Sequence, residues 1–418
     1  MIYDVIVVGA GAAGMTAAIF AARCGSTVAI LEHKEEAGRK LLSTGNGKCN
    51  FTNHTQGVAC YKGHDPAFVL PVLAQFGHAD TLAFFASIGV FSKEKRGGYY
   101  YPASEQASAV RDALLLELIR LSVPIFYEIG IRSIERTQEG LFLFHTKTGI
   151  WSARHCILAA GGKAAKKTGS DGSGILYAEK LGHRVYEFAP ALVPLTSPDY
   201  SLKEMAGVRA EADLLLKVDG SKTASDRGEV QLTEYGLSGI PTFQISYEAV
   251  KALKEQKHVE AELDFLPDFS EDMLLTYLTE TKCRFEETEK RGTHILVTAI
   301  WNGLLHKKVI AAVLKKAGFG RDLLLSDCGE KEFLQMIRTA KHFMIPIDGY
   351  KDFDAAQVCS GGIATEEIDP NTCGSKLVSG LYFAGEIMDI AGICGGYNLQ
   401  WAWSSGAVAG SHAGRKEA

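Results

Sequence analysis

Tyr3-Asp4-Val5-Ile6-Val7-Val8-Gly9-Ala10-Gly11-Ala12-Ala13-Gly14 leads into the small, apolar run Met15–Ala22 and then into Thr27-Val28-Ala29-Ile30-Leu31-Glu32. Val5–Val8 is apolar without alternation, as a strand buried on both faces of a parallel sheet requires. It passes directly into a G-x-G-x-x-G turn, a segment of helical composition, and a second short strand that ends on an acid. Gly9 permits the tight turn, Gly11 lets a pyrophosphate approach the backbone, and Gly14 lets helix and sheet pack closely. The first helical turn, with Ala12 and Ala13, faces the phosphates, and Glu32, with His33 beside it, reaches the ribose hydroxyls. The glycines alone are weak evidence; their order with strand, helix, strand and acid is specific. A membrane segment is the rival reading, because Val5 to Ala22 carries no charge and nears spanning length. Asp4 ahead of it, no basic n-region and three glycines inside it argue against that reading.

The full length of 418 residues allows two or three domains with sizeable cores. A net charge of −5 gives no reason to expect nucleic acid as a partner. The nine cysteines include no C-x-x-C pair, which fits reduced thiols of a cytoplasmic protein, without a disulfide framework or metal site. No targeting signal, later membrane span, low-complexity tract or repeat is expected.

After Glu32, residues 37–53 are rich in glycine, amides and hydroxyls. They read either as an ordinary surface loop or as an ordered loop that offers N–H groups, amides and Lys40 to a phosphate or polar ring. Asp65-Pro66 signals a capped helix to Gln75, and Thr81–Ile88 and Ser104–Leu121 continue as amphipathic helices. Gly97–Pro102 reads as an aromatic turn. Residues 129–160 read as a β-meander feeding a buried strand that ends at Gly161-Gly162. The cluster Gly169–Gly174 is not a second dinucleotide fingerprint, since no strand leads into it. From about Ala191 the period changes to two: Val208 to Val218, Val230/Leu232, Phe243/Ile245 and Val259 to Phe265. This predicts an inserted antiparallel sheet or small barrel, followed by helices over about 270–320. The chain then returns to its first domain.

Gly380–Glu386 is a second buried strand ending in Gly-Glu, and Gly395-Gly396-Tyr397-Asn398-Leu399-Gln400 opens a helix rich in small and aromatic residues. A glycine pair before a helix allows close backbone approach and aims the positive helix end at a ligand; for a flavin, that end favours negative charge developing on reduction.

With both ends read, the chain resembles the BaiN-like flavoprotein family, also described as NAD(P)/FAD-dependent or aminoacetone-oxidase-like. The resemblance is carried by Val7–Gly14 with Glu32, Gly38–Leu42, Gly45–Asn53, Ala159–Gly162, His342-Phe343, Ile345-Pro346, Ser360–Ile363, Gly380–Glu386 and Gly395–Ser405. It implies an α/β, Rossmann-like FAD-binding domain (1–190 and 346–418), interrupted at 191–345 by an antiparallel β-barrel and a small helical domain. It implies FAD as cofactor, with Gly9, Gly11, Ala12, Ala13 and Gly14 at the pyrophosphate and Glu32 and His33 at the ribose. Lys40, Leu41, Asn46, Gly47, Cys49, Asn50, Gly161 and Gly162 would flank the cofactor, and Gly385, Glu386, Asn398, Leu399 and Gln400 would hold its ribityl chain and ring. Lys48 and Gly98–Pro102 depart from the family pattern, the latter near where substrate would enter.

The reaction expected is hydride transfer from NAD(P)H through FAD to an unsaturated, enone or steroid-like small molecule. NAD(P)H would bind transiently at the flavin, since no second dinucleotide fold is evident. An O₂-dependent amine or aminoketone oxidase is the alternative, and a flavin-bound scaffold without turnover a second. Tyr397, His342 and Tyr100 are the side chains able to deliver a proton, although each also fits a hydrogen-bonded core position. Cys49 and Cys394 lie in the flavin loops, where a thiolate could form. The partner is a small molecule, with no nucleic acid and no membrane; the oligomeric state stays open.

Overall fold

A parallel sheet forms around the opening strand in the computed structural model, which describes residues 2–95 and 97–415. Strand β1 (Ile2–Val8) lies between β2 (Val28–Leu31) and β4 (Ile150–Leu158), with β3 (Ile125–Phe126) beyond β2 and β5 (Leu381–Phe383) beyond β4. All four pairings are parallel, with Val8 opposite Leu31 and Leu158, and Leu158 opposite Phe383. Val5, Ile6, Val7, Ile30, Ile157 and Phe383 are fully inaccessible, as strands covered on both faces must be. The expected meander is present: Ile131–Arg136 pairs with Phe142–Thr146, which pairs with the start of β4.

Helix α1 (Ala12–Arg23) packs against the last helix, α2 (Tyr397–Ala413), through a stripe of small residues. Gly406, Gly410 and Gly414, one turn apart, sit on Ala13, Ala17 and Ala21; a Cβ at Gly406 would lie 2.6 Å from the Ala13 carbonyl oxygen. These two helices join opposite ends of the sequence. The helix Ala107–Arg120 adds a buried carboxylate: Glu117 accepts from Arg120 Nε and Arg23 Nη2, each at 2.7 Å. Hydrogen bonding to Arg120, then to Arg23, holds that carboxyl down at about 2 in spite of burial. A carboxyl depressed by folding stabilises above its unfolded range and loses that contribution as pH falls through its folded value. Glu117→Gln is therefore expected to lower stability at neutral pH and to flatten the acid limb between the ordinary glutamate range, ~4.3, and about 2, as read by urea midpoints against pH.

The chain divides into two compact units, Met1–Ala191 with Phe353–Ala418, and Leu192–Asp352; residues 1, 96 and 416–418 lie outside the described residues. Gly349–Tyr350 still pairs with Leu195–Thr196 inside the second unit. That unit holds a seven-stranded antiparallel sheet in the order Phe343–Ile347, Val259–Asp264, Arg209–Val218, Ser221–Thr233, Gly236–Ser238, Leu195–Thr196, Gly349–Tyr350. The expected barrel is not what forms: among the described residues no pairing joins the two end strands, and the path stays open. Phe343–Ile347 and Gly349–Tyr350 are consecutive in the chain, each on a different neighbour.

Two other expectations change. Phe243 and Ile245 belong to a helix, Ile240–Lys254, and not to a strand. Its buried positions include Thr242, Ile245, Ser246, Ala249 and Val250, a helical spacing that outweighs the local alternation, and Pro241 stands in its first turn. Tyr99–Pro102 is a strand and not a turn, paired on one side with Thr52–Asn53 and on the other with Ser92–Lys95. The helices Glu271–Lys290, Thr298–Trp301 and Lys307–Lys316 fall in the helical stretch, and Glu330–Lys341 follows it. No single described helix is long and apolar enough to cross a membrane.

Candidate functional site

Strands β1, β4 and β5 are in register at their carboxyl ends, so three loops leave the sheet at one edge: Gly9–Gly14, Ala159–Gly162 and Ala384–Glu386. Ligands of open α/β sheets bind at that edge. The main chain ties the loops together, Ala159 N–H to Val8 O and Ala384 N–H to Leu158 O, each at 3.0 Å. Gly385 packs on Ala13, where a Cβ would lie 2.8 Å from the Ala13 methyl. At Gly14 a Cβ would collide with the Gly9 carbonyl oxygen, whereas one at Gly11 would meet nothing within 4 Å. The first position is shut by the protein; the second borders open space. Both α1 and α2 begin without a side-chain cap, at Gly11 and Gly396, so their first-turn N–H groups have no side-chain acceptor. That geometry suits an anionic ligand.

Glu32 follows β2 and is 7% exposed. Its Oε2 accepts from Ala10 N–H at 2.7 Å, and its Oε1 accepts from Lys34 N–H at 2.8 Å and lies 3.2 Å from His33 Nδ1. Burial raises its carboxyl, but the hydrogen bonds from His33, Ala10 and Lys34 outweigh this and hold it below the ordinary range. A carboxylate has about four acceptor sites, so one remains for a ligand hydroxyl. Opposite, Lys40 Nζ meets Glu386 Oε2 at 2.7 Å, uniting residues from the two ends of the chain. The other Glu386 oxygen accepts from Cys359 N–H at 2.9 Å, and Gly162 abuts both Cys359 and Glu386. Removing one member of a partly buried pair leaves its partner short of hydrogen bonds. Lys40→Met is thus expected to weaken cofactor binding by about tenfold, ~1.4 kcal/mol, measured by fluorescence titration of the apoprotein.

The closing motif acts as a clamp. Trp401 Nε1 donates to Gly385 O at 3.1 Å, and Gly385 N–H donates to Ser405 Oγ at 2.9 Å. Trp403 Nε1 donates to Phe51 O at 2.9 Å, which holds the exit of the Gly45–Asn50 loop. Asn398 brackets Gly392, accepting from its N–H at 2.8 Å and donating to its O at 2.7 Å. Asn50, with its amide nitrogen turned to the Thr52 and Tyr100 carbonyls at 3.1 Å, sits against Gly396 at the start of α2. In that loop Gly45, Asn46, Gly47 and Cys49 all take left-handed backbone angles.

Residues 3–412 match the HI0933-like protein Rossmann domain family. The chain belongs to this family. A 3-dehydro-bile acid delta(4,6)-reductase of Clostridium scindens is 40% identical over 412 residues, 98% of each chain. A ribosomal RNA dihydrouridine synthase of Haemophilus influenzae is 28% identical over 405 residues, 96% of each. Among solved structures, 3-ketosteroid delta1-dehydrogenase from Sterolibacterium denitrificans superposes with a TM-score of 0.51, covering 99% of both chains at 13% identity, a likeness of fold alone. The protein is an FAD-dependent oxidoreductase.

The sheet edge gathers Gly9, Gly11, Ala12, Ala13, Gly14, Glu32, His33, Lys40, Gly161, Gly162, Gly385 and Glu386. Gln400, Leu41, Cys49, Tyr397, Tyr100 and His342 are engaged elsewhere. Gln400 is fully buried, its Oε1 accepting from Thr52 and its Nε2 donating to Thr81 and Ser404, so its side chain braces the core. Leu41 and Cys49 are core side chains; burial pushes the Cys49 thiol up to about 12, so no thiolate forms there near neutral pH. Tyr397 is 6% exposed, and burial and its bond to Cys60 push its phenol well up. Tyr100 donates outward to Glu94 at 2.9 Å. His342 belongs to the second unit, where its Nδ1 lies 2.5 Å from Glu262, which also pairs with Lys217. Sequence reading passed over Cys359, although it adjoins the quoted Ser360-Gly361-Gly362 motif, because one buried thiol among nine carries no local signal.

Proposed function

We propose that this HI0933-like protein reduces a carbon–carbon double bond conjugated to a carbonyl in a small, steroid-like substrate, with NAD(P)H as electron donor. The observation that carries the reading is the 40% identity, over 98% of both chains, to a 3-dehydro-bile acid delta(4,6)-reductase. Dihydrouridine formation, the chemistry in the second relative's name, likewise saturates a double bond conjugated to a carbonyl. The net charge of −5 supports a small molecule over RNA as the substrate.

The residues at the sheet edge fit FAD. Gly11 and the first turn of α1 would hold its pyrophosphate, Glu32 its adenosine ribose, and Gly385, Glu386 and the start of α2 its ring system. When bound, FAD accepts a hydride from a donor and returns it to an acceptor. The Lys40–Glu386 pair orients a cation and an acceptor at this edge, and the uncapped N-terminus of α2 favours negative charge near it. The nine free thiols support a reducing, cytoplasmic setting. Anaerobic addition of NADH or NADPH to the flavin-loaded protein tests the donor. Bleaching by a nicotinamide is expected; bleaching only by an amine, with recovery in oxygen, would replace this reading with an oxidase.

A further inference from the structure

His64 and Asp389 form a second cluster of titratable groups that the foregoing roles leave unused. Asp389 is 2% exposed and lies between Glu386, the partner of Lys40, and Gly392, which Asn398 brackets. Its Oδ2 accepts from His64 N–H at 2.8 Å and faces His64 Nδ1 at 2.7 Å, while Oδ1 accepts from Gly361 N–H at 3.1 Å. The approach depends on Gly63, where a Cβ would collide with the Asp389 carbonyl oxygen. The strand Tyr61–Lys62 beside it pairs with Ala391–Gly392 and so anchors His64 to the segment that follows the Gly-Glu loop. The imidazole is stacked on Tyr186, with centroids 3.5 Å apart and planes within 11°, and the Tyr186 phenol donates to Glu366 at 2.9 Å. Arg184 lies close by, 5.3 Å from the centre of the Tyr186 ring and 3.5 Å from Glu366.

One edge and one face of the ring are therefore fixed, while the side chain remains 56% exposed. A merely structural tie needs only the His64 N–H. The ring adds a second bond to a buried carboxylate, which sets the tautomer with the proton on Nδ1 and presents Nε2 outward. A carboxylate behind an imidazole is the arrangement that orients histidine for proton transfer.

We propose that His64, aimed by Asp389, delivers the proton in the reduction assigned above; the proposal rests on that reading. Saturating the conjugated double bond requires a hydride and a proton. The hydride, supplied by the reduced cofactor, bonds to the carbon β to the carbonyl, and the π electrons shift toward the carbonyl. The α carbon then bonds to the proton of the His64 imidazolium Nε2–H; that N–H bond breaks with its pair staying on nitrogen, and the neutral ring regains a proton from water. The charged and titratable groups around the ring are Asp389, Tyr186, Glu366 and Arg184.

The test uses the flavin-loaded full chain, photoreduced without oxygen and mixed with progesterone as the enone. His64→Gln is expected to photoreduce like the parent but to be reoxidised by progesterone about 10²- to 10⁴-fold more slowly, and to lose the pH dependence of that step. Asp389→Asn is expected to slow the same step and alter its pH profile, while His64→Gln, changed at a half-exposed side chain, guards against a folding failure. Parental rate and pH dependence in His64→Gln would overturn the proposal alone. A parent that progesterone does not reoxidise would overturn the enone reading, and the proposal with it.

Discussion

Gly11→Val is expected to fold and to lose FAD. A Cβ at this position meets no protein atom within 4 Å, and the residue has ordinary extended backbone angles. The change should therefore cost the apoprotein only about 1 kcal/mol as a poorer helix N-cap. The open space is where a pyrophosphate would approach the backbone, so valine there fills the ligand's volume. Affinity for FAD is expected to fall at least about 100-fold, or ~2.7 kcal/mol, measured by calorimetric titration of apoprotein whose thermal unfolding is unchanged. Gly14→Val is the counterpart: it drives a side chain into the Gly9 carbonyl and is expected to abolish folding. Parental FAD affinity in Gly11→Val would remove the pyrophosphate from this loop.

Gly410→Val is expected to destabilise the protein by ~3 kcal/mol or more and to release the cofactor. Its Cβ would collide with the Ala17 carbonyl oxygen at the middle of the α1–α2 contact, and rigid backbone on both sides leaves nothing to yield. The consequences spread because α2 also holds Gly385 through Trp401 and Ser405, and Phe51 through Trp403. Gly130→Ala, which meets nothing within 4 Å, serves as the control and should lie within about 0.5 kcal/mol of the parent in urea.

The parallel core and its ligand edge were legible because each element carries several consistent local signals. Val5–Val8, the glycines and Glu32 speak for one another within a single βαβ unit. The Lys40–Glu386 pair was half legible: both residues were picked out, but a contact across 346 positions leaves no local trace. Gln400 misled because a polar residue next to a ligand motif looks like a ligand residue, when its amide closes a buried network with Thr52, Thr81 and Ser404. Phe243/Ile245 misled for a different reason: two apolar residues cannot distinguish period two from 3.6, and the deciding positions, Ser246, Ala249 and Val250, lie beyond them. His64 and Asp389 carry no pattern at all and become visible only when strand Tyr61–Lys62 is laid beside Ala391–Gly392.

The most direct test of the central claim is whether an enone reoxidises the reduced flavin of this HI0933-like protein. The flavin-loaded protein is photoreduced under strict anaerobiosis, so that no assumption about the donor enters, and progesterone is added while the visible flavin absorbance is followed. Stoichiometric recovery of the oxidised spectrum, with one equivalent of saturated ketone formed, is the predicted result. A flavin that stays reduced with progesterone and recovers only when oxygen is admitted would contradict the account.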